Sequence, residues 1–398
     1  MQSASGVTRH YGMDWLRIGA FALLIFYHIG MFYVPWVWHV KAPQIAERAT
    51  IAMLFTNGWR LSLLFLVSGY ASAAMLAKRP SLRGFAVSRS ARLLVPLAFG
   101  MAVIVPPQPW IQLVGQHGYV HGFAHFWTQD YFRFGSIKGI TLPTWQHLWF
   151  VAYLFVYSLV LALVLSLPKA IGSFASAGFD RMFARPALLL LLPIGWICLR
   201  SFLLWPGVED THGLFDDAAA HWIYFPAFLF GFGMQNSALL WDAIRKSWKV
   251  ALVIALGGYA IIAGLEWVYP GETPAPRSLV ELFITARAVN AWCMIVALLG
   301  IADRFLNRDH PWRTTLNEAI FPFYIVHQTL IVVVGWWVVY AGLPNAISFP
   351  LLVVMTALGC WLFYRLGREV PVLRLLIGLK GWRVPSSNAQ KDAALVAA

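Results

Sequence analysis

The sequence predicts an all-α integral membrane protein with about ten transmembrane helices and both termini cytoplasmic. Three observations carry this. Of 398 residues, 60% are hydrophobic and 12% charged, about half the charged fraction of a soluble domain. Apolar runs of about 20 residues, the length that crosses the hydrocarbon core, recur along the whole chain. The cationic residues between those runs alternate in density from one gap to the next, which orients the spans.

The runs place spans at 13–34, 51–77, 93–109, 146–167, 186–205, 221–239, 250–267, 280–301, 319–341 and 349–364. The first is too long for a cleaved signal peptide, and Val34-Pro35-Trp36-Val37-Trp38-His39 follows it instead of a small-residue cleavage site. In the second, residues 51–57 read as an interfacial segment, with the helix proper starting near Trp59. The third and tenth runs are the shortest. Residues 110–145 form the longest aqueous stretch, too short for a domain of its own. With Trp110, His117, His121, His125, Trp127, Tyr131 and Trp145, it reads as a lid or acceptor-binding surface, or as an interfacial aromatic belt. Its three histidines are interrupted by Gly118 and Gly122 and lack acidic or cysteine ligands at matching spacing, so no metal is expected. The outer segment 206–220 carries Glu209, Asp210, Asp216 and Asp217 and no Lys or Arg. Cys198, Cys293 and Cys360 each fall inside a span, which argues against an extracellular disulfide framework. Residues 1–383 read as one transmembrane domain and 384–398 as a disordered cytoplasmic tail.

The net charge of +13 would suit nucleic acid, but its distribution excludes that partner. Of 30 Lys and Arg residues, 21 fall in the segments assigned to the cytoplasm and 5 in the outer segments. This is the positive-inside bias, and its partner is the lipid bilayer. The other four, Arg17, Arg60, Arg200 and Arg287, lie within spans.

A charge inside a membrane is costly and marks a functional site by default. Arg17 and His28 are eleven residues apart, close to three helical turns, so they share a face of the first span about 16 Å apart along the axis. Arg17 sits near the cytoplasmic surface and His28 past the midplane. Arg17 can also snorkel to headgroups, and His28 can also serve as an interhelical hydrogen-bond partner. Arg60, Arg200, Glu266 and Arg287 fall in the outer halves of their spans, and His147 opens the fourth. His327 is read in the inner half of the ninth span. Asp14, Arg89 and Arg92 lie at the inner surface, with Asp14 pairing one of those two arginines. The result is a path that is basic at its inner mouth, which suits a phosphorylated cytoplasmic ligand, and polar at its outer mouth, which suits a hydroxylated acceptor.

These residues resemble the membrane-bound acyltransferase-3 family. The resemblance rests on Asp14-Trp15-Leu16-Arg17 followed by His28, Phe65-Leu66-Val67-Ser68-Gly69-Tyr70, Arg89-Ser90-Ala91-Arg92-Leu93-Leu94-Val95-Pro96, His147-Leu148-Trp149-Phe150 and Phe323-Tyr324-Ile325-Val326-His327-Gln328, in order. It runs from about Tyr11 to Arg383. Trp38-His39-Val40, Arg60 and Pro371-Val372-Leu373-Arg374-Leu375-Leu376 resemble a branch that places succinyl groups on periplasmic glucans, although Leu64 stands where that branch commonly has an aromatic.

The resemblance implies a bacterial inner-membrane acyltransferase. Its donor would be acyl-CoA, either acetyl-CoA or succinyl-CoA, and its acceptor a glycan hydroxyl on the outer side. Arg17, Arg89 and Arg92 would hold the CoA phosphates. His28 would be the general base or carry an acyl-histidine intermediate. Arg60, His147, Arg287 and His327 are the candidate substrate-binding residues, and Ser68 reads as a close-packing residue or a nucleophile. A glycan or lipid-linked sugar flippase also fits ten spans with buried charges, but would not require the basic inner mouth with the Arg17/His28 pair. A receptor-like or structural protein would not need so many buried ionisable groups.

Overall fold

The computed structural model describes residues 10–78 and 81–379. Arg79, Arg383 and the tail 384–398 lie outside the described residues. Among the described residues, nine helices are long and apolar enough to cross a membrane. They are Tyr11–Met31, Ala49–Lys78, Leu82–His117, Gln146–Val164, Pro186–Leu204, Ala238–Val268, Arg277–Phe305, Pro311–Tyr340 and Asn345–Glu369. A further apolar helix, Ala218–Met234, has 17 residues and stands sixth in chain order. The spans are named below by position in this series of ten.

The second span is broken at Gly58 and Trp59, giving Ala49–Asn57 and Arg60–Lys78, as the sequence suggested. The third span corrects the expected pattern. With 36 residues it is the longest, not among the shortest. Two prolines, Pro106 and Pro107, fall within it, and proline lacks the N–H a helix interior needs. Gly100–Ile104 widens into a π turn, and Pro107 begins the next helical stretch at a position where no N–H is required. Residues 110–117 are therefore helix, with Ile111 and Leu113 buried, rather than part of the aqueous stretch. The tenth span is also longer than expected, at 25 residues.

The rest of the 110–145 stretch folds into a small cap. A hairpin pairs Gly135–Ile137 with Ile140–Leu142, and Leu113, Phe126, Tyr131 and Leu142 form its core. Lys169–Phe183 is an additional helix between the fourth and fifth spans. Cys198, Cys293 and Cys360 are free thiols.

Packing depends on small residues where helices cross closely. A Cβ on Gly69 would stand 1.8 Å from the Phe228 carbonyl oxygen, and one on Gly231 1.8 Å from that of Leu66. The second and sixth spans thus approach backbone to backbone at two reciprocal glycines. The Ser68 hydroxyl donates back to the Leu64 carbonyl at 2.8 Å. Gly12 also brings the first span close to the eighth, where a Cβ would stand 2.5 Å from the Ala302 carbonyl oxygen. The first span therefore lies inside the bundle, against the second, eighth and ninth. The fifth span is the opposite case, with Leu189 its one buried residue.

Candidate functional site

The first and ninth spans are joined by three polar rungs. The Arg313 Nη1 donates to Asp14 Oδ2 at 2.8 Å, Arg17 Nη2 donates to Asn317 Oδ1, and His28 Nδ1 lies 2.7 Å from His327 Nε2. The sequence separations are 299, 300 and 299 residues. A constant offset means that the two helices run parallel and in register. Asp14 thus pairs with Arg313, not with Arg89 or Arg92. Arg313 is 4% exposed and also binds Asp309 at 2.7 Å, so it carries two carboxylates where Arg89 and Arg92 offer neither.

His28 sits in the last turn of the first helix. Trp38 lies against its ring at 5.4 Å and 28°. His28 Nε2 has no hydrogen-bond partner among the described residues, and the ring is half-buried. His327, placed in the inner half of its span by sequence, is level with His28 because the ninth helix begins at Pro311.

A buried polar network backs this pair. His39 Nδ1–H donates to Gln112 Oε1 at 2.7 Å, and its Nε2 accepts from Gln328 Nε2 at 3.2 Å. Burial presses the His39 pKa down to about 4 despite the opposing Gln112 hydrogen bond. Gln328 also donates to Gln108 Oε1 at 2.9 Å, and Gln108 Nε2 donates to Thr329 Oγ1 at 2.7 Å. Thr329 in turn donates to the Ile104 carbonyl at 2.8 Å, a group in the irregular turn of the third span. His147 Nε2 donates to the Ile325 carbonyl at 3.1 Å, and its Nδ1 faces Gln108 Nε2 at 3.5 Å.

His147 and His327 are thus fully engaged, at 6% and 0% exposure. Both nitrogens of each ring face protein groups in this arrangement. They form the layer behind His28.

The loop after the first helix is tied by Lys41. Its ammonium donates to the carbonyls of Met31 at 2.6 Å, Trp36 at 2.9 Å and Val34. These include an otherwise open helix-end carbonyl, and the clamp fixes the segment carrying Trp38 and His39. Burial pulls the Lys41 pKa down to about 8.

Two guanidinium groups lie around Tyr27, the chain neighbour of His28. Arg60, 4% exposed, stacks over the Tyr27 ring at 3.5 Å, and its Nε is buried without a partner. Arg287 Nη2 donates to Asn57 Oδ1 at 2.7 Å, and Asn57 Nδ2 donates to the Tyr27 hydroxyl at 2.7 Å. Neither arginine touches a carboxylate among the described residues. Arg200 instead pairs with Asp210 at 3.3 Å near the bundle surface, and Glu266 lies at a helix end beside Gly271.

Arg17, Arg89 and Arg92 gather at the other end and are close enough to repel one another. Arg89 Nε donates to Ser158 Oγ of the fourth span at 3.1 Å, while its Nη2 is buried without a partner. Arg92 is exposed. A groove of about 340 Å³ lies between the first, ninth and tenth spans, but it is lined by apolar side chains such as Phe21, Phe323 and Trp361 and by none of the candidate residues.

Sequence reasoning missed Arg313, Asn317, Tyr27, Asn57 and the Gln108–Gln328–His39 network. Arg313 and Asn317 are one turn apart at the start of an apolar run, a signal that was present. Asn57 and Gln108 gave none, since each is a lone uncharged polar residue near the end of an apolar run.

A family model described as an acyltransferase domain matches residues 10–365. Among curated proteins the chain is similar to "Glucans biosynthesis protein C" of Escherichia coli strain 536 / UPEC, 22% identical over 387 residues that cover 94% of this chain and 95% of that protein. It is equally similar to the protein of that name from Escherichia coli strain K12, 22% identical over 386 residues with the same coverage. No solved structure matches the chain. The motifs in order on their helices and a family match over nearly the whole chain agree: the chain belongs to the acyltransferase-3 family and is a multi-pass membrane acyltransferase.

Proposed function

We propose that the protein transfers a succinyl group from cytoplasmic succinyl-CoA to a hydroxyl of a glycan on the outer side of the bacterial inner membrane. The observation that carries this reading is His28 standing between two cationic clusters, Arg17, Arg89 and Arg92 toward one end of the bundle and Arg60 and Arg287 toward the other. In this reading residues 1–383 form one domain crossing the membrane ten times, with both termini cytoplasmic. The parallel register of the first and ninth spans supports the count, because it requires an even number of reversals between them. Counting the 17-residue sixth helix as a crossing supplies that number.

The Arg17, Arg89 and Arg92 cluster holds the CoA phosphates, where a guanidinium is matched to phosphate geometry. The pantetheine arm runs along the helix face and brings the thioester to His28, about 16 Å away. His28 Nε2 takes the proton from the acceptor hydroxyl as its oxygen attacks the thioester carbon. The tetrahedral intermediate collapses with cleavage of the C–S bond, and the proton passes to the CoA thiolate. General-base assistance of this kind contributes about 10²–10⁴ in rate. Support for succinyl over acetyl comes from Arg60 and Arg287. A buried cation without a counter-ion is costly, and the distal carboxylate of a succinyl group supplies the missing charge.

The test is mass spectrometry of periplasmic glucans from a strain carrying the intact gene, a deletion strain, and the deletion strain complemented with His28→Ala. A succinyl adduct present only with the intact gene is the expected result. Glucans unchanged across all strains would overturn the glucan acceptor, and an acetyl adduct would overturn the donor.

A further inference from the structure

We propose that His327 is a positioning residue that sets the tautomer of His28, leaving Nε2 as the proton-accepting nitrogen through a relay anchored on the Tyr324 carbonyl. The inference rests on the reading of His28 as the base and adds what makes it one.

The argument starts at the backbone. His327 Nδ1 lies 2.8 Å from the Tyr324 carbonyl oxygen, which can only accept. His327 Nδ1 therefore carries a hydrogen. In a neutral imidazole the other nitrogen, Nε2, is then an acceptor. That nitrogen lies 2.7 Å from His28 Nδ1, so His28 Nδ1 must be the donor. The remaining nitrogen, His28 Nε2, bears the lone pair. The opposite arrangement would set the bare Nδ1 of His327 against a carbonyl oxygen, with two lone pairs facing each other in a medium that screens poorly.

Ring geometry supports the same assignment. The two rings are parallel within 9° and their centroids are 5.0 Å apart. With the nitrogens at 2.7 Å, the rings meet edge to edge in one plane, and the N–H of one points along the lone pair of the other. Face-to-face stacking would not bring two nitrogens this close at that centroid separation.

The surroundings hold His327 in place. It is fully buried, and the Tyr324 and His147 rings pack against it at 5.8 and 5.1 Å. The Asp14–Arg313 and Arg17–Asn317 rungs fix the register that brings it level with His28. During the reaction His28 becomes an imidazolium, and His327 Nε2 continues to accept its Nδ1–H. A carboxylate could hold the imidazole in the same way. In the bilayer that carboxylate would bring a charge with it, whereas a neutral imidazole anchored on a carbonyl does not.

The experiment uses the full-length protein in detergent or nanodiscs, with His327→Gln, His327→Phe and His28→Ala. Gln can return an acceptor oxygen near the position of Nε2, and Phe fills the volume without one. For His327→Phe the expected result is a fall in kcat of about 10²-fold or more, with KM for donor and acceptor changed less than threefold. For His327→Gln it is recovery of at least tenfold relative to Phe. Nitrogen-15 NMR of histidine-labelled protein is expected to show His28 Nε2 unprotonated in the wild type and a mixture of tautomers in His327→Phe. Equal activity of the Gln and Phe variants, or wild-type kcat in both, overturns the relay. Activity in His28→Ala overturns the reading of His28 as base. Inactive His28→Ala together with fully active His327 variants overturns the relay alone.

Discussion

Asp14 and Arg313 meet at 2.8 Å across 299 residues of chain, and the same offset recurs at His28 and His327. The ion pair near the start of both helices and the imidazole pair further along them are parts of one register. A parallel helix pair cannot slide without breaking all three rungs, so the ion pair contributes to the alignment of His28 with His327.

Arg313→Gln is expected to lower both stability and transfer, because it leaves Asp14 and Asp309 facing each other without their shared cation. Asp14 is partly exposed and Asp309 more than half exposed, so the loss is about 1.5–3 kcal/mol, the worth of a hydrogen bond to a charged group. Asp14→Asn combined with Arg313→Gln should cost less than the sum of the two single changes. A double-mutant cycle read by thermal unfolding in detergent checks this, and strict additivity would exclude the coupling.

Arg60→Met and Arg287→Met are expected to leave Tm unchanged or raised while succinyl transfer falls by at least 10²-fold. Removing a cation that touches no carboxylate relieves a desolvation cost and, in the proposed reading, removes the counter-ion of the succinyl carboxylate. Loss of Tm without a change in donor preference would assign both arginines a structural role instead.

Arg89→Ala and Arg92→Ala are expected to raise KM for the CoA donor about tenfold or more, with the KM for acceptor little changed. Charge–charge binding of phosphates weakens with ionic strength, so the wild-type donor KM should rise with salt and the variants should show a shallower slope. Steady-state kinetics at two salt concentrations decide it.

His39 makes folding sensitive to acid. Burial holds its folded pKa at about 4, below the usual histidine value of about 6.5. Because the folded value is depressed, the unfolded chain takes up the proton first as pH falls. Stability from the neutral His39 is therefore complete above pH 6.5 and is lost as pH falls toward 4, by about 3 kcal/mol in all. Tm measured from pH 7 to pH 4 should decline, and His39→Gln should flatten that decline.

Gly69→Leu and Gly231→Leu are expected to prevent correct assembly. At each position a Cβ would overlap a carbonyl oxygen of the partner helix at 1.8 Å, and backbone cannot yield as a side chain does. Yield of monodisperse detergent-solubilised protein is the readout. Normal yield from either variant would show that the crossing is looser.

Local physics made part of this protein legible without a structure. Span positions follow from hydropathy, because crossing a bilayer requires an apolar run of set length. The shared face of Arg17 and His28 follows from helical periodicity, which is a property of eleven consecutive residues. Hydropathy ended the third span at residue 109, and the structure carries it on to His117 through a π turn and a fresh helix start at Pro107. Everything that joins distant spans was decided by tertiary structure. Asp14 has several arginines within reach of a sequence argument, and only helix packing selects Arg313. His327 is one histidine among eleven, and only a parallel register brings its Nε2 to His28. The chain alone specified which groups enter the membrane. The fold decided which of them meet, because interhelical hydrogen bonds depend on an order of packing that no local pattern encodes.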